Sequence, residues 1–272
     1  MTRVISILKL TVFAGFTIPL MPVQLLLILL RLPVGRWLPV YVHRVYCWIL
    51  GLKVECHGTP SAHRPVLFVS NHTSWIDIVV LSSVIPVSFI AKHEVAGWPF
   101  FGWLAKLQRT VFVERRLART VEHRDEIQSR LAAGDSLVLF PEGTSNDGNR
   151  VLPFKSAFFA VAERAPAGSL VVQPVSIAYT RLDGIPMGRR LRHLFAWYGD
   201  MELAPHLWTV LGVGRGTVEV RFHPPAPLDE IANRKALAAY CYDQVRDGVV
   251  EALTGRPVQS PQERPTITGE AA

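Results

Sequence analysis

Between Leu10 and Leu30 the 272-residue chain runs for 21 residues without a charged side chain, and no other stretch restricts its possible folds as strongly. As an α-helix such a run covers about 30 Å, the thickness of a bilayer's hydrocarbon core. Pro19 and Pro22 fall in the middle of it. Each removes a backbone donor and crowds the preceding turn, so the sequence predicts a kink or break between two apolar pieces, Val4–Ile18 and Val23–Leu32. A single span and a bent hairpin lying in one leaflet are both open. The next apolar stretch, Trp37–Leu52, is interrupted by His43 and Arg44 and carries Trp37, Tyr41, Tyr46 and Trp48, side chains suited to the headgroup level. It reads as interfacial. Arg3 and Lys9 ahead of an apolar run would also fit a secretory leader, but no small-x-small cleavage site followed by polar sequence comes after it.

Charge supports a membrane-associated start. The first acidic residue is Glu55, and six cations (Arg3, Lys9, Arg31, Arg36, Arg44 and Lys53) precede it, so six of the formal +7 lie in this segment. The remainder of the chain is close to neutral, which argues against nucleic acid as a partner, because that needs a basic stripe on the folded body. Hydrophobic residues make up 49% and charged ones 19%, which excludes a disordered or fibrous chain. Cys47, Cys56 and Cys241 are odd in number and have no C-x-x-C spacing. Neither a disulfide framework nor a zinc site is expected, and a reducing cytoplasmic face is the simpler setting.

From Lys53 onward, short β-rich runs alternate with helical stretches. Strands are predicted at Val66–Ser70, Val87–Ala91, Val111–Val113, Leu137–Phe140, Val171–Ile177 and Thr217–Phe222. Helices are predicted near Ser74–Val84, Pro99–Leu107, Leu117–Ala133, Lys155–Arg164 and Asp229–Leu253. This alternation predicts an α/β fold with a mostly parallel central sheet flanked by helices, functional residues gathering on loops at strand ends. The expected organisation is a membrane-associated helical segment over 1–52, a domain over 53–254 and a mobile tail over 255–272.

Two segments carry candidate chemistry. In Ser70-Asn71-His72-Thr73-Ser74-Trp75-Ile76-Asp77, His72 sits at a strand exit and Thr73 or Ser74 can cap the following helix, bringing Asp77 up in its first turn. An imidazole with a carboxylate at its other nitrogen is a general base held in one tautomer; a lone capping or surface histidine is the plainer alternative. In Leu137-Val138-Leu139-Phe140-Pro141-Glu142-Gly143-Thr144, a strand runs into a proline, and Gly143 permits close backbone approach or a positive φ. Glu142 is presented at a sheet edge, or else the segment is a simple turn continued by Asn146-Asp147-Gly148-Asn149. Arg189-Arg190-Leu191-Arg192-His193, beside Trp197 and Tyr198, reads as a head-group or carrier-protein patch or as a solvated loop edge.

Together, Asn71-His72-x₄-Asp77 and Phe140-Pro141-Glu142-Gly143-Thr144 resemble the glycerolipid acyltransferase family that includes the 1-acylglycerol-3-phosphate acyltransferases. Ala91-Lys92-x-Glu94, Trp98-Pro99-Phe100-Phe101-Gly102-Trp103, Val111-Phe112-Val113-Glu114-Arg115 and Val172-Gln173-Pro174-Val175 are similar to its intervening and last blocks. The resemblance implies that His72 deprotonates the hydroxyl of a lysolipid while Asp77 holds and charge-stabilises the imidazole. The alkoxide then attacks an acyl thioester, of acyl carrier protein or of CoA, without an enzyme nucleophile, bound cofactor or metal. No G-x-S-x-G elbow occurs in the chain, in keeping with that.

The resemblance further assigns Arg115, Lys92, Glu142, Gly143 and Thr144 to the acceptor's polar head, where a guanidinium makes paired bonds to phosphate. Ion pairing of Arg115 or Arg116 with Glu114 or Glu122, and a merely solvated Lys92, are the plainer alternatives. The expected acceptor is 1-acyl-sn-glycerol-3-phosphate. However, many members specific for it carry a cation after Gly-Thr, where this chain has Ser145, Asn146 and Asp147. The stretches 140–156 and 196–201 also resemble the bacterial branch that acylates lyso-ornithine lipid, whose head has no phosphate. That acceptor is the alternative, with a thioesterase or a non-catalytic lipid-binding protein as further function classes.

Overall fold

The computed structural model describes residues 2–113, 121–163, 165–166 and 168–257. Its first element, α1 (Thr2–Leu29), is a single helix that contains both prolines, so the predicted break is absent. Pro19 and Pro22 still withhold their hydrogen bonds, but α1 is packed along its length against later helices, and tertiary support of that kind outweighs local propensity. A 3₁₀ turn, Pro33–Arg36, leads into α2 (Leu38–Leu50), whose C-terminus is closed by Gly51 at φ 77°.

The body follows as β1 (Leu52–His57), β2 (Val66–Ser70), α3 (Ile76–Val84), β3 (Ser88–Lys92), α4 (Phe101–Leu107), β4 (Val111–Val113), α5 (Val121–Ala132), β5 (Leu137–Leu139), α6 (Ala160–Glu163), β6 (Val171–Leu182), β7 (Ile185–Pro186), α7 (Arg189–Arg192), α8 (Leu203–Gly212), β8 (Gly216–Phe222) and α9 (Arg234–Thr254). Elements β1, β7, α7 and α8 were not expected from the pattern. The predicted helix at 155–164 is a 3₁₀ turn running into the short α6. The first residues of the predicted 117–133 helix, and the tail from 258, lie outside the described residues.

The sheet order is β1-β8-β6-β2-β5-β3-β4, with β7 on the flank of β6. All pairings are parallel except β6 with β8 and with β7. Alternate side chains divide between two layers: Val66, Phe68, Phe89 and Val138 join the core under α2, α3 and α8, while Leu67, Val69, Ile90 and Leu139 join the core under α5, α6 and α9. Tyr46, Cys47, Ile49 and Leu50 of α2 belong to the first of these cores. Residues 38–52 are therefore built into the folded body as well as presenting an apolar face, and no packing boundary falls at residue 52.

Helix α1 has its polarity reversed relative to a water-facing helix. Ser6, Thr17 and Gln24 are buried against the body, with Thr17 Oγ1 2.8 Å from Tyr46 Oη and Gln24 Nε2 donating to the carbonyls of Gly35 (3.0 Å) and Leu107 (3.1 Å). Val4, Leu8, Ile18, Leu26 and Leu29 point outward, joined by Trp37, Tyr41 and Trp48 of the turn and α2. Helix α1 is long and apolar enough to cross a membrane. Its outward face is one that lipid, not water, would solvate.

Candidate functional site

The spacing of the two motifs is a consequence of strand register. Neighbouring parallel strands β2 and β5 pair Leu67 with Leu137 and Val69 with Leu139. His72 and Glu142 each lie three residues past the last paired position, so both chains leave the sheet side by side at its C-terminal edge. There the ladder continues through a side chain: Glu142 Oε1 accepts the His72 backbone N–H at 2.9 Å, and the Asn146 N–H donates to the His72 carbonyl at 3.1 Å. On the other flank, Asn71 grips Ile177 of β6 through both its amide oxygen and nitrogen, each at 2.9 Å.

Asp77 is completely buried and accepts four hydrogen bonds. Its Oδ2 receives His72 Nδ1–H (2.9 Å), Thr73 N–H (2.6 Å) and Ser74 N–H (2.8 Å), and its Oδ1 receives the Tyr179 hydroxyl of β6 (2.8 Å). The predicted Thr73 or Ser74 side-chain cap is absent, because Asp77 itself satisfies the free amides of the first turn. Burial, and then the adjacent Asp77, hold the Tyr179 phenol well above its usual range, which keeps it a donor. A carboxylate oxygen already facing two amides accepts only, so in the neutral ring Nδ1 carries the proton and the free lone pair is on Nε2. The arrangement is competent to take a proton from a hydroxyl placed at Nε2.

Glu142, expected at the acceptor's head, is turned inward instead, at 2% exposure. Besides the His72 N–H, it accepts Asn146 Nδ2 (2.7 Å) and the Leu152 N–H (3.2 Å) through Oε2, so it braces two backbone amides and one side-chain amide. Burial pushes its pKa up to about 7, against the lowering effect of those hydrogen bonds. Gly143 follows at φ 70°, where a Cβ would come within 2.9 Å of Lys155 Nζ, and Thr144 is exposed. Lys92 ends β3, level by register with Pro141 and half-buried. Arg115 lies outside the described residues; the strand before it, β4, pairs Val113 with Lys92.

An apolar cavity of about 210 Å³ lies between α1, α2, α3, β3, α4 and α8, with Phe13, Tyr46, Ile78, Phe89, Leu104 and Leu207 on its walls. Stacked rings connect it to the dyad: His72 lies on Phe140 at 4.1 Å, and Phe140 on Phe89 at 6.3 Å. Trp98, also on the wall, meets Trp197 edge-on, and the Trp197 backbone N–H donates to the Thr73 carbonyl at 3.0 Å. Sequence reasoning did not find Tyr179, and it placed Asn146 in a turn and Trp197 beside a surface patch without their contacts to Glu142 and Thr73. Nothing local marks them, since each acts on residues 70 or more positions away, or, for Asn146, on a carboxylate whose inward turn is not legible.

The sequence pattern of the Acyltransferase family matches residues 53–178. The lyso-ornithine lipid O-acyltransferase of Brucella abortus is 49% identical over 249 residues, covering 90% of this chain and 93% of that protein. The 1-acyl-sn-glycerol-3-phosphate acyltransferase of Neisseria gonorrhoeae is 33% identical over 205 residues, covering 74% and 76%. Among solved structures, the 1-acyl-sn-glycerophosphate acyltransferase of Thermotoga maritima superposes with a TM-score of 0.69 at 23% identity, over 95% of this chain and 100% of that one, which establishes the fold. With its long apolar N-terminal helix, its mostly parallel sheet and two relatives of that extent, the chain belongs to the acyltransferase family as a membrane-associated lysolipid O-acyltransferase.

Proposed function

We propose that the enzyme O-acylates lyso-ornithine lipid, with His72 as general base and Asp77 as the group that orients it and stabilises its charge. The observation that carries the mechanism is the fixed Nδ1–H to Asp77 bond, which leaves Nε2 as the only basic nitrogen of the ring. Nε2 takes the acceptor hydroxyl's proton, the oxygen forms the new ester bond to the thioester carbonyl carbon, and the carbon–sulfur bond breaks. The imidazolium returns the proton to the leaving thiolate of acyl carrier protein or CoA. Direct transfer of this kind calls for no cofactor or metal.

The acyl chain has a fitting receptacle in the apolar cavity that the stacked rings connect to His72. Glu142 acts as a positioning residue through the His72 backbone. Lys92, Gly143, Thr144 and Arg115 remain proposed contacts for the acceptor's polar part. The acceptor reading is supported by the greater identity to the Brucella protein than to the Neisseria one and by Asp147 in the head-group loop, which a phosphate would avoid. The second reading, 1-acyl-sn-glycerol-3-phosphate, rests on Lys92 and Arg115 as cations from the middle block.

Helix α1 touches the body from Ser6 to Gln24, so it lies in one leaflet with the body's edge. The six N-terminal cations support the cytoplasmic leaflet, where anionic lipid attracts them. The test uses purified enzyme in detergent with an acyl-carrier donor and either acceptor. Lyso-ornithine lipid should be the better substrate, and His72→Ala should lower turnover on the order of 10²–10⁴-fold with folding retained. Preference for the phosphate acceptor would reject the acceptor assignment, and near-normal turnover by His72→Ala would reject the base.

A further inference from the structure

The loop that follows Glu142 holds two opposite charges apart instead of letting them pair. Asp147 accepts the Asn149 backbone N–H at Oδ1 (3.1 Å) and Asn149 Nδ2 at Oδ2 (3.0 Å). On its far side, Asn149 Oδ1 accepts Arg192 Nη1 at 2.8 Å, and Arg192 Nη2 is held by the Met187 carbonyl at 3.0 Å. One carboxamide thus stands between carboxylate and guanidinium, and neither forms an ion pair with any described residue. Arg192 Nε is buried with no hydrogen-bond partner among the described residues, and Arg189 and Arg190 on the same short turn are exposed. Asp147 is left partly exposed, and Arg189 and Arg190 face solvent beside the buried Arg192, none of the three in an ion pair among the described residues, so a cation and an anion on a ligand would each find a complementary charge here.

The pair also sits where an acceptor must come. The Asn146 N–H is bonded to the His72 carbonyl, and Gly148, at φ 73°, is so close to Thr73 that a Cβ would come within 2.9 Å of its methyl group. Asp147 lies between these two anchored residues. Burial pushes its carboxyl up, but the two Asn149 bonds and nearby Arg150 outweigh that and leave its pKa below the ordinary value. An ionised acid on a loop anchored to His72 and Thr73 repels a phosphate head and attracts an ammonium.

We infer that the Asp147–Asn149–Arg192 relay is the head-group selector, Asp147 receiving the ammonium and the Arg189–Arg192 turn the carboxylate of a zwitterionic amino-acid lysolipid. This rests on the reading of the acceptor as lyso-ornithine lipid, whose methylene chain keeps its own two charges apart. The test measures kcat/KM of full-length enzyme in mixed micelles with lyso-ornithine lipid, with the same lipid acetylated on its side-chain nitrogen, and with lysophosphatidic acid. For the wild type, acetylation should cost about tenfold or more, as expected for loss of a charge-assisted contact. Asp147→Asn, which keeps the size and one accepting oxygen, should lose a similar factor on the free amine and use both amino-acid lipids to within about a factor of two. Equal use of amine and acetamide by the wild type overturns the inference alone, and needs no variant to fold. Persistence of the tenfold preference in Asp147→Asn also overturns it. Wild-type turnover of lysophosphatidic acid but not of lyso-ornithine lipid overturns the acceptor reading and the selector with it.

Discussion

Replacing Asp77 by Asn separates the charge of the dyad from its geometry. Three of the four donors meet Oδ2 and the fourth, the Tyr179 hydroxyl, meets Oδ1. An asparagine with its oxygen toward His72, Thr73 and Ser74 and its amide toward Tyr179 retains every heavy-atom contact, because the phenol rotates to accept. The histidine keeps its proton on Nδ1, and only the negative charge is lost. At a separation of about 4 Å and an effective dielectric near 20, a carboxylate stabilises an imidazolium by about 4 kcal/mol. That corresponds to roughly 10³ in rate if the imidazolium forms in the transition state. Asp77→Ala is the poorer probe, since it strands four buried donors at about 1–3 kcal/mol each and reports on folding. The assay is initial rate against acceptor concentration at saturating donor, alongside thermal unfolding. We expect kcat to fall about 10³-fold, KM to stay within about threefold and the unfolding midpoint to move by only a few degrees. Turnover within tenfold of wild type in the folded variant would refute the argument, because the charge would then have no part in the chemistry.

Further expectations concern the loop, the membrane face and the cavity. With the Glu142 pKa near 7 in the fold and 4.5 as the reference, stability associated with its protonated form is full below pH 4.5 and is lost as pH rises through about 7, on the order of 3 kcal/mol in all. The stability difference between wild type and Glu142→Gln, followed by urea unfolding, should shrink by that amount across the window; a difference independent of pH would show that Glu142 does not titrate there. Gly143→Ala places an L-residue at φ 70°, and a loss of about 1–2 kcal/mol is expected, with no change in stability speaking against the backbone conformation. Trp48, 73% exposed on α2, should lie in lipid: Trp48→Ala should weaken vesicle cosedimentation by about tenfold to thirtyfold, and unaltered partitioning would move the membrane face elsewhere. Ala105→Phe narrows the cavity wall and should shift donor preference toward shorter acyl chains; an unchanged chain-length profile would mean the acyl chain binds outside it.

What the sequence determined by itself is what neighbouring residues encode. Strand and helix alternation and the apolar N-terminal run follow from periodicity and composition and were enough to expect an α/β fold at a membrane, while the two motif segments carried the family resemblance that implied an acyltransferase. Tertiary structure decided the rest, because those features depend on residues far apart in the chain. Pro19 and Pro22 argue locally for a break, and only packing against α2, α4 and α8 keeps α1 continuous. Glu142 reads as an exposed loop acid until the pairing of β2 with β5 sets it beneath His72, where three donors turn it inward. Tyr179 looks like one more aromatic in a buried strand, and it completes the Asp77 site because β6 lies beside β2. Likewise, Asp147 and Arg192 are two ordinary charges in the sequence. Asn149, held between them by the fold, is what keeps them separate.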